Sequence, residues 1–279
     1  MIMSTQFESA PNRYVVASDG VKYAYRRLGV PGTRPLIFMQ HFTGTMDSWD
    51  PAVVNALARH RTVVIFDNAG VGLSGGKTPD NVAQMTIDAE AFIEALDLGE
   101  VDLLGFSLGG FLAQLMAARG KLPVRRIVLA GSAPQGGEEH LLAVVTEAFA
   151  KQAPEVRLPL FFTPSEASQA AGRAFVARAT ARTTERAPES GENVRTAQAK
   201  AIINWCADKS AAHSLLKRIG RPSLIVHGRD DTMFPVTNAF TMVEQMSEAT
   251  LIVYPDSAHG AIFQYPQIFA SHVETFLSA

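Results

Sequence analysis

Cysteine is almost missing from this chain. Cys206 is the one thiol in 279 residues, which excludes an internal disulfide framework and any cysteine-rich metal site. Charge of one sign is missing as well. Lys and Arg number 25 against 27 Asp and Glu, a net charge of -2 with the signs interspersed, so no surface of one polarity draws the chain to nucleic acid or to an anionic membrane. No apolar run is long enough to span a bilayer, and residues 1–12 lack an apolar core of signal-peptide length. No pair among the seven histidines has the spacing of a metal site. Internal repeats and low-complexity tails are absent too. These absences lead us to expect a soluble, cytoplasmic protein with a single reduced thiol, no metal, no nucleic-acid partner and no membrane partner. They carry no signature of an oligomeric state. What the chain has is apolar mass, 47% of its residues, enough for one large domain or a core domain carrying an insertion.

The apolar residues come in short runs. Residues 14–17 and 21–25 flank Ser18, Asp19 and Gly20, the pattern of a hairpin with a glycine turn. Continuous apolar strands are expected at residues 36–39, 62–66, 101–104 and 126–130, with helices near 51–59, 83–96 and 111–118. Buried strands alternating with amphipathic helices predict a parallel sheet covered on both faces. The alternation stops between residues 134 and 213, where the patterns are helical, rich in alanine and arginine, and broken at Pro154, Pro159, Pro164, Pro188 and Gly191. Strand patterns resume at 223–227 and 251–254, and a last helix is expected near 266–277. The expected organisation is an α/β core in two parts, residues 1–133 and 216–279, with a helical insertion at 134–215.

Gly105-Phe106-Ser107-Leu108-Gly109 lies between a buried strand and a helix. A serine on such a tight turn sits in strained backbone with its hydroxyl above the sheet edge. The N–H groups that open the following helix favour negative charge at the same spot. Those are the needs of a nucleophile that forms an oxyanion intermediate. The plainer alternative is an ordinary turn in which Ser107 caps the helix. A nucleophilic serine needs a base and an orienting acid, and open α/β sheets gather such groups at the C-terminal ends of their strands. His259 follows one late strand, while Asp230 and Asp231 follow another.

The order Ser107, aspartate, His259 resembles the α/β-hydrolase superfamily over nearly the whole chain. The superfamily pattern Gly-x-x-Asp-x-x-x-Pro maps onto Gly228, Asp231 and Pro235. It favours Asp231 as the acid and leaves Asp230 as a turn carboxylate capping backbone N–H groups. In part of the superfamily the acid follows the earlier strand, but residues 131–135 contain no carboxylate. Asp256 is expected to shape its turn, and His227 to be a packed, hydrogen-bonded residue. The resemblance also implies two oxyanion donors, the N–H groups of Leu108 and of Phe42. Relatives read His-Gly-Phe where this chain has Gln40-His41-Phe42, a departure that makes His41 a candidate polar group at the pocket mouth. Residues 67–74 resemble the Asp-x-x-Gly-x-Gly-x-Ser loop of the superfamily, a structural turn, and lack a full dinucleotide or phosphate-loop signature.

By the same resemblance the insertion is a cap, or lid, above Ser107. Phe161, Phe162, Phe175 and Trp205 are its candidate pocket residues, facing Phe42, Phe106, Met233 and Phe234 of the core. Some of them are expected simply to pack the two parts together. Arg173, Arg178, Arg182, Arg186 and Arg195 are expected mostly on a solvated helix face. The implied activity is cofactor-free hydrolysis of a small-molecule ester or lactone with a hydrophobic part, through an acyl-enzyme on Ser107. The serine turn also resembles that of cofactor-independent haloperoxidases, which are perhydrolases with a serine triad. Carbon–carbon bond hydrolases share the cap and triad, enol-lactone hydrolases are similar, and some members are non-catalytic small-molecule receptors. A serine in place of an aspartate nucleophile argues against epoxide hydrolase and haloalkane dehalogenase chemistry.

Overall fold

The computed structural model describes residues 6–137, 158–210 and 214–279. Part of the expected helical insertion, with its break at Pro154, lies outside the described residues. Eight strands form one sheet: β1 (Arg13–Val16), β2 (Lys22–Gly29), β3 (Leu36–Met39), β4 (Thr62–Phe66), β5 (Val101–Phe106), β6 (Val124–Ala130), β7 (Ser223–Gly228) and β8 (Ala249–Tyr254). Their order is β1-β2-β4-β3-β5-β6-β7-β8. β1 and β2 form the expected hairpin, and β2 runs antiparallel to β4. Every later pairing is parallel, so the C-terminal ends of β3 to β8 share one edge of the sheet. Two strands, β6 and β8, begin two residues earlier than their apolar runs. β6 starts at Val124 because Arg125 is anchored in the sheet, its guanidinium 2.7 and 2.9 Å from the buried carboxylate of Asp102 on β5. β8 starts at Ala249, which pairs with Ser223.

Alternate residues of the central strands feed two cores. Ile37, Met39, Val64, Phe66 and Leu103 face one; Leu36, Phe38, Val63, Ile65, Leu104 and Phe106 face the other. This is the period-two alternation of a sheet buried on both faces, which is why these strands are uniformly apolar. The first core is covered by α2 (Val82–Ala95) and α3 (Leu108–Arg119), the second by α1 (Pro51–Ala58) and the C-terminal α9 (Pro266–Ser278). Local chemistry sets the helix ends. Asp50 caps α1 by accepting from the Ala52 N–H, with Pro51 in the first turn, and Asn81 caps α2 through the Gln84 N–H. α3 stops at Gly120, whose left-handed φ of 63° lets its N–H reach the Met116 carbonyl.

Between β6 and β7 the described residues contribute α4 (Glu166–Ala179), α5 (Glu192–Ala207) and α6 (Ser214–Lys217) and no strand. The short helices α7 (Thr237–Gln245) and α8 (Ala261–Gln264) follow β7 and β8. No helix among the described residues is long and apolar enough to cross a membrane.

Candidate active site

Ser107 directly follows β5 and opens α3. Its backbone adopts φ 54° and ψ -119°, a strained combination for a residue with a side chain. Three hydrogen bonds hold it there. The Ser107 N–H donates to Ala130 at 2.9 Å, and its carbonyl accepts from the Gly110 N–H at 2.8 Å and from the Ser132 hydroxyl at 3.1 Å. The glycines around it are required by proximity. A Cβ on Gly105 would lie 2.4 Å from the Gly109 carbonyl oxygen, one on Gly110 2.3 Å from Ser132 Oγ, and one on Gly109 2.0 Å from the Met39 carbonyl oxygen. The last contact presses the first turn of α3 against the end of β3, beside the loop that contains Phe42. The Ser107 side chain makes no capping hydrogen bond to its own helix, so the plainer reading of a serine N-cap does not describe it.

His259 and Asp231 come together from the loops after β8 and β7. His259 Nδ1 lies 2.8 Å from Asp231 Oδ2, and both side chains are buried. The other carboxylate oxygen accepts from the backbone N–H groups of Met233 at 2.8 Å and Phe234 at 3.0 Å. Burial pushes the Asp231 carboxyl up, but the His259 charge and hydrogen bond, helped by His227 and the Phe234 N–H, outweigh it and hold the group below its ordinary range. An ionised carboxylate only accepts, so Nδ1 of His259 carries a proton toward it and Nε2 remains the basic nitrogen. Asp230 is exposed. It pairs with the Arg229 guanidinium at 3.1 Å, rather than capping backbone N–H groups as its position suggests.

His227 is fully buried, as expected of a packed residue, and it also flanks the acid. Its Nε2 lies 2.6 Å from the Phe234 carbonyl and 3.4 Å from Asp231 Oδ2. Burial lowers its pKa against the pull of the Asp231 charge.

The loop after β3 carries the second expected donor. Phe42 is half-buried, and His41 Nδ1 lies 2.9 Å from the Phe42 carbonyl. His41 is buried rather than open to solvent, its ring set edge-on to Phe106 and Phe161 with centroids 5.4 and 6.1 Å away. Gln40, at the position of the usual histidine, is buried and donates through Nε2 to the Phe66 carbonyl at 3.3 Å. Leu108, the first residue of α3, has one of the N–H groups that a helix leaves without an internal partner. The loop is tied to residues 67–74 through Asp67, which accepts from the Met46 N–H at 2.6 Å and the Leu73 N–H at 2.8 Å. Burial pushes the Asp67 carboxyl up to about 6 against those two hydrogen bonds.

The aromatic residues divide by neighbour. Three rings surround His259: those of Phe106, Phe161 and Phe234, with centroids 5.1, 5.7 and 5.5 Å from its own. The chain before α4 meets the His259 loop directly, since the His259 N–H donates to Leu160 and the Gly260 N–H to Phe161. Phe162 is buried against Phe175, which stacks on Phe263. Trp205 stacks on Phe111 of α3 with centroids 5.1 Å apart, and Met233 is half-buried against the same core. Asp256, beyond shaping its turn with a φ of 45°, accepts from the hydroxyls of Thr163 at 2.6 Å and Ser165 at 2.7 Å, the latter the N-cap of α4.

Two of the five arginines depart from the solvated face expected for them. Arg178 is bidentate to the buried Asp50 at 2.8 and 2.7 Å. Arg182 is 4% exposed and donates to the carbonyls of Phe7, Glu8 and Ala10. Beside them Arg26 and Asp47 form a buried pair at 2.6 Å, and Asp47 also accepts from the Ala187 N–H. The sequence gives no local signal for these partners, nor for Gln198 and Ser190, which reach the loop after β3 from the segment between β6 and β7.

Comparison with known proteins agrees with this architecture. The chain superposes on an alpha/beta hydrolase fold protein from Chitinophaga pinensis with a TM-score of 0.94 and 42% identity, covering 98% of this chain and 99% of that one. A non-heme chloroperoxidase of Burkholderia pyrrocinia is 26% identical over 95% of this chain and 99% of its own length. A pimeloyl-[acyl-carrier protein] methyl ester esterase of Nitrosomonas europaea is 28% identical over 80% of this chain and 87% of its own. The sequence profile of the alpha/beta hydrolase fold matches residues 34–266. The chain is a member of the α/β-hydrolase family.

Proposed function

We propose that this hydrolase cleaves a small carboxylic ester or lactone with a hydrophobic part, through an acyl-enzyme on Ser107. The observation that carries the reading is the placement of a strained, non-capping serine at the end of β5 on the sheet edge where His259 is bonded to a buried carboxylate. Ser107 Oγ attacks the carbonyl carbon while His259 Nε2 takes its proton. Asp231 fixes the imidazole tautomer and stabilises its charged form. The N–H groups of Leu108 and Phe42 hold the oxyanion. Collapse of the tetrahedral intermediate expels the alkoxide, which receives the proton from His259. A water deprotonated by the same nitrogen then attacks the acyl carbon and frees the acid and the serine. Residues 134–215 act as the cap, with Phe161 of that segment and Phe106 and Phe234 of the core beside His259. Similarity to the methyl ester esterase supports the ester class.

Similarity to the non-heme chloroperoxidase over nearly the whole chain favours a second reaction of the same acyl-enzyme. With hydrogen peroxide in place of water, attack on the acyl carbon releases a peracid. Turnover of p-nitrophenyl esters of graded chain length, with and without peroxide, tests both readings. The expected result is turnover that disappears in Ser107→Ala and declines beyond a limiting acyl length. Turnover that persists in Ser107→Ala would overturn the assignment.

A further inference from the structure

The loop that holds the expected oxyanion donor is strained where it turns. Thr43, directly after Phe42, has a φ of 57°, a conformation that a β-branched residue adopts only when its surroundings impose it. The constraint comes from another part of the chain. The Thr43 N–H donates to Gln198 Oε1 at 2.6 Å, and the Thr43 carbonyl accepts from Ser190 Oγ at 2.9 Å. Both partners belong to the segment between β6 and β7. Gln198 lies on α5 and is fully buried; Ser190 precedes that helix. One residue thus has its donor and its acceptor engaged from 155 and 147 positions away. On the other side, the Gly44 N–H returns to the His41 carbonyl at 3.0 Å, closing the turn around Phe42 and Thr43.

We propose that Gln198, assisted by Ser190, is a positioning residue for the oxyanion hole, holding the Thr43 peptide so that the neighbouring Phe42 N–H stays aimed at the site above Ser107. This rests on the proposed serine mechanism. It makes the seating of α5 a condition for transition-state stabilisation, because an oxyanion donor acts only when fixed before charge develops. A donor about 1 Å out of place can lower the rate by ~10²-fold without weakening ground-state binding. The other end of Gln198 lines a small cavity of about 10 Å³ together with Asn68, and the side-chain nitrogens of both residues have no partner there among the described residues.

The test uses diethyl p-nitrophenyl phosphate. Its phosphoryl oxygen occupies the oxyanion position as Ser107 Oγ bonds to phosphorus, p-nitrophenolate departs, and the serine proton passes to His259. Gln198→Met, which preserves length without a strong acceptor, is expected to lower the limiting inactivation rate by ~10- to 100-fold with little change in the half-saturating concentration. Should Gln198→Met fail to fold, Ser190→Ala carries the same prediction with a smaller loss. Wild-type limiting rates in folded Gln198→Met or in Ser190→Ala, with labelling abolished in Ser107→Ala, would overturn the inference and leave the serine mechanism standing. Labelling that persists in Ser107→Ala would overturn the mechanism itself.

Discussion

Ser107 and Thr43 both hold positive φ, and each is kept there by hydrogen bonds from segments distant in sequence. Strain of this kind persists only where the surroundings over-determine it. For Ser107 the sequence announced the strain, because glycines at 105, 109 and 110 are required where strand, turn and helix backbones nearly touch. For Thr43 nothing local announced it, since its two partners lie in a segment more than a hundred residues later. The two adjacent aspartates show the same limit. Strand-end spacing favours Asp231, but only the folded chain gives one carboxylate a buried imidazole and two backbone N–H groups, and the other an exposed arginine. Asp231→Asn is therefore expected to lower kcat by ~10⁴-fold by disturbing the tautomer of His259, with Asp230→Asn near wild type. Comparable losses at the two positions, measured on the same ester, would contradict the assignment of roles.

At the scale of elements, the strands were legible because a sheet buried on both faces needs uninterrupted apolar runs, and the helices because their faces repeat near every 3.6 residues. The way α4 sits on the core was not legible. The arginines on and just after α4 read as a solvated face, with glutamates nearby, yet Arg178 and Arg182 bind groups 128 and up to 175 positions away. Arg182 is the deeper anchor. Its removal leaves the carbonyls of Phe7, Glu8 and Ala10 without that donor in a region where water cannot easily replace it. We expect Arg182→Ala to lower the unfolding free energy by ~3 kcal/mol. Arg178, whose side chain is 33% exposed, should contribute only ~1 kcal/mol. Urea denaturation of the two variants decides the order, and an equal or reversed cost would show that α4 is held elsewhere.

Taken whole, the molecule places the loops after β3, β5, β7 and β8 on one edge because those strands run parallel. That much follows from chain order and strand pattern; the contacts between residues 158–210 and the edge do not, because they depend on how two separately patterned parts meet. The site also leaves a mark on global stability. Asp231 is held below its ordinary pKa in the folded chain, so its contribution is complete above about pH 4 and is lost as pH falls through the folded value. Asp67, at about 6 against an ordinary 3.8, acts oppositely: the folded chain keeps a proton that the unfolded chain has released, and stability falls as pH rises between those values. Asp231→Asn should therefore flatten the acid-side loss of unfolding free energy while leaving the Asp67 slope in place. An unchanged acid limb in the variant would mean that the Asp231 carboxylate is not favoured by folding.

The central claim is that Ser107 is the nucleophile, and covalent capture tests it most directly. The folded protein would be treated with a fluorophosphonate and the adduct located by peptide mass spectrometry. The account predicts one adduct, on the peptide containing Ser107, suppressed in His259→Ala. An adduct on another residue, or none on folded wild-type protein, would contradict it.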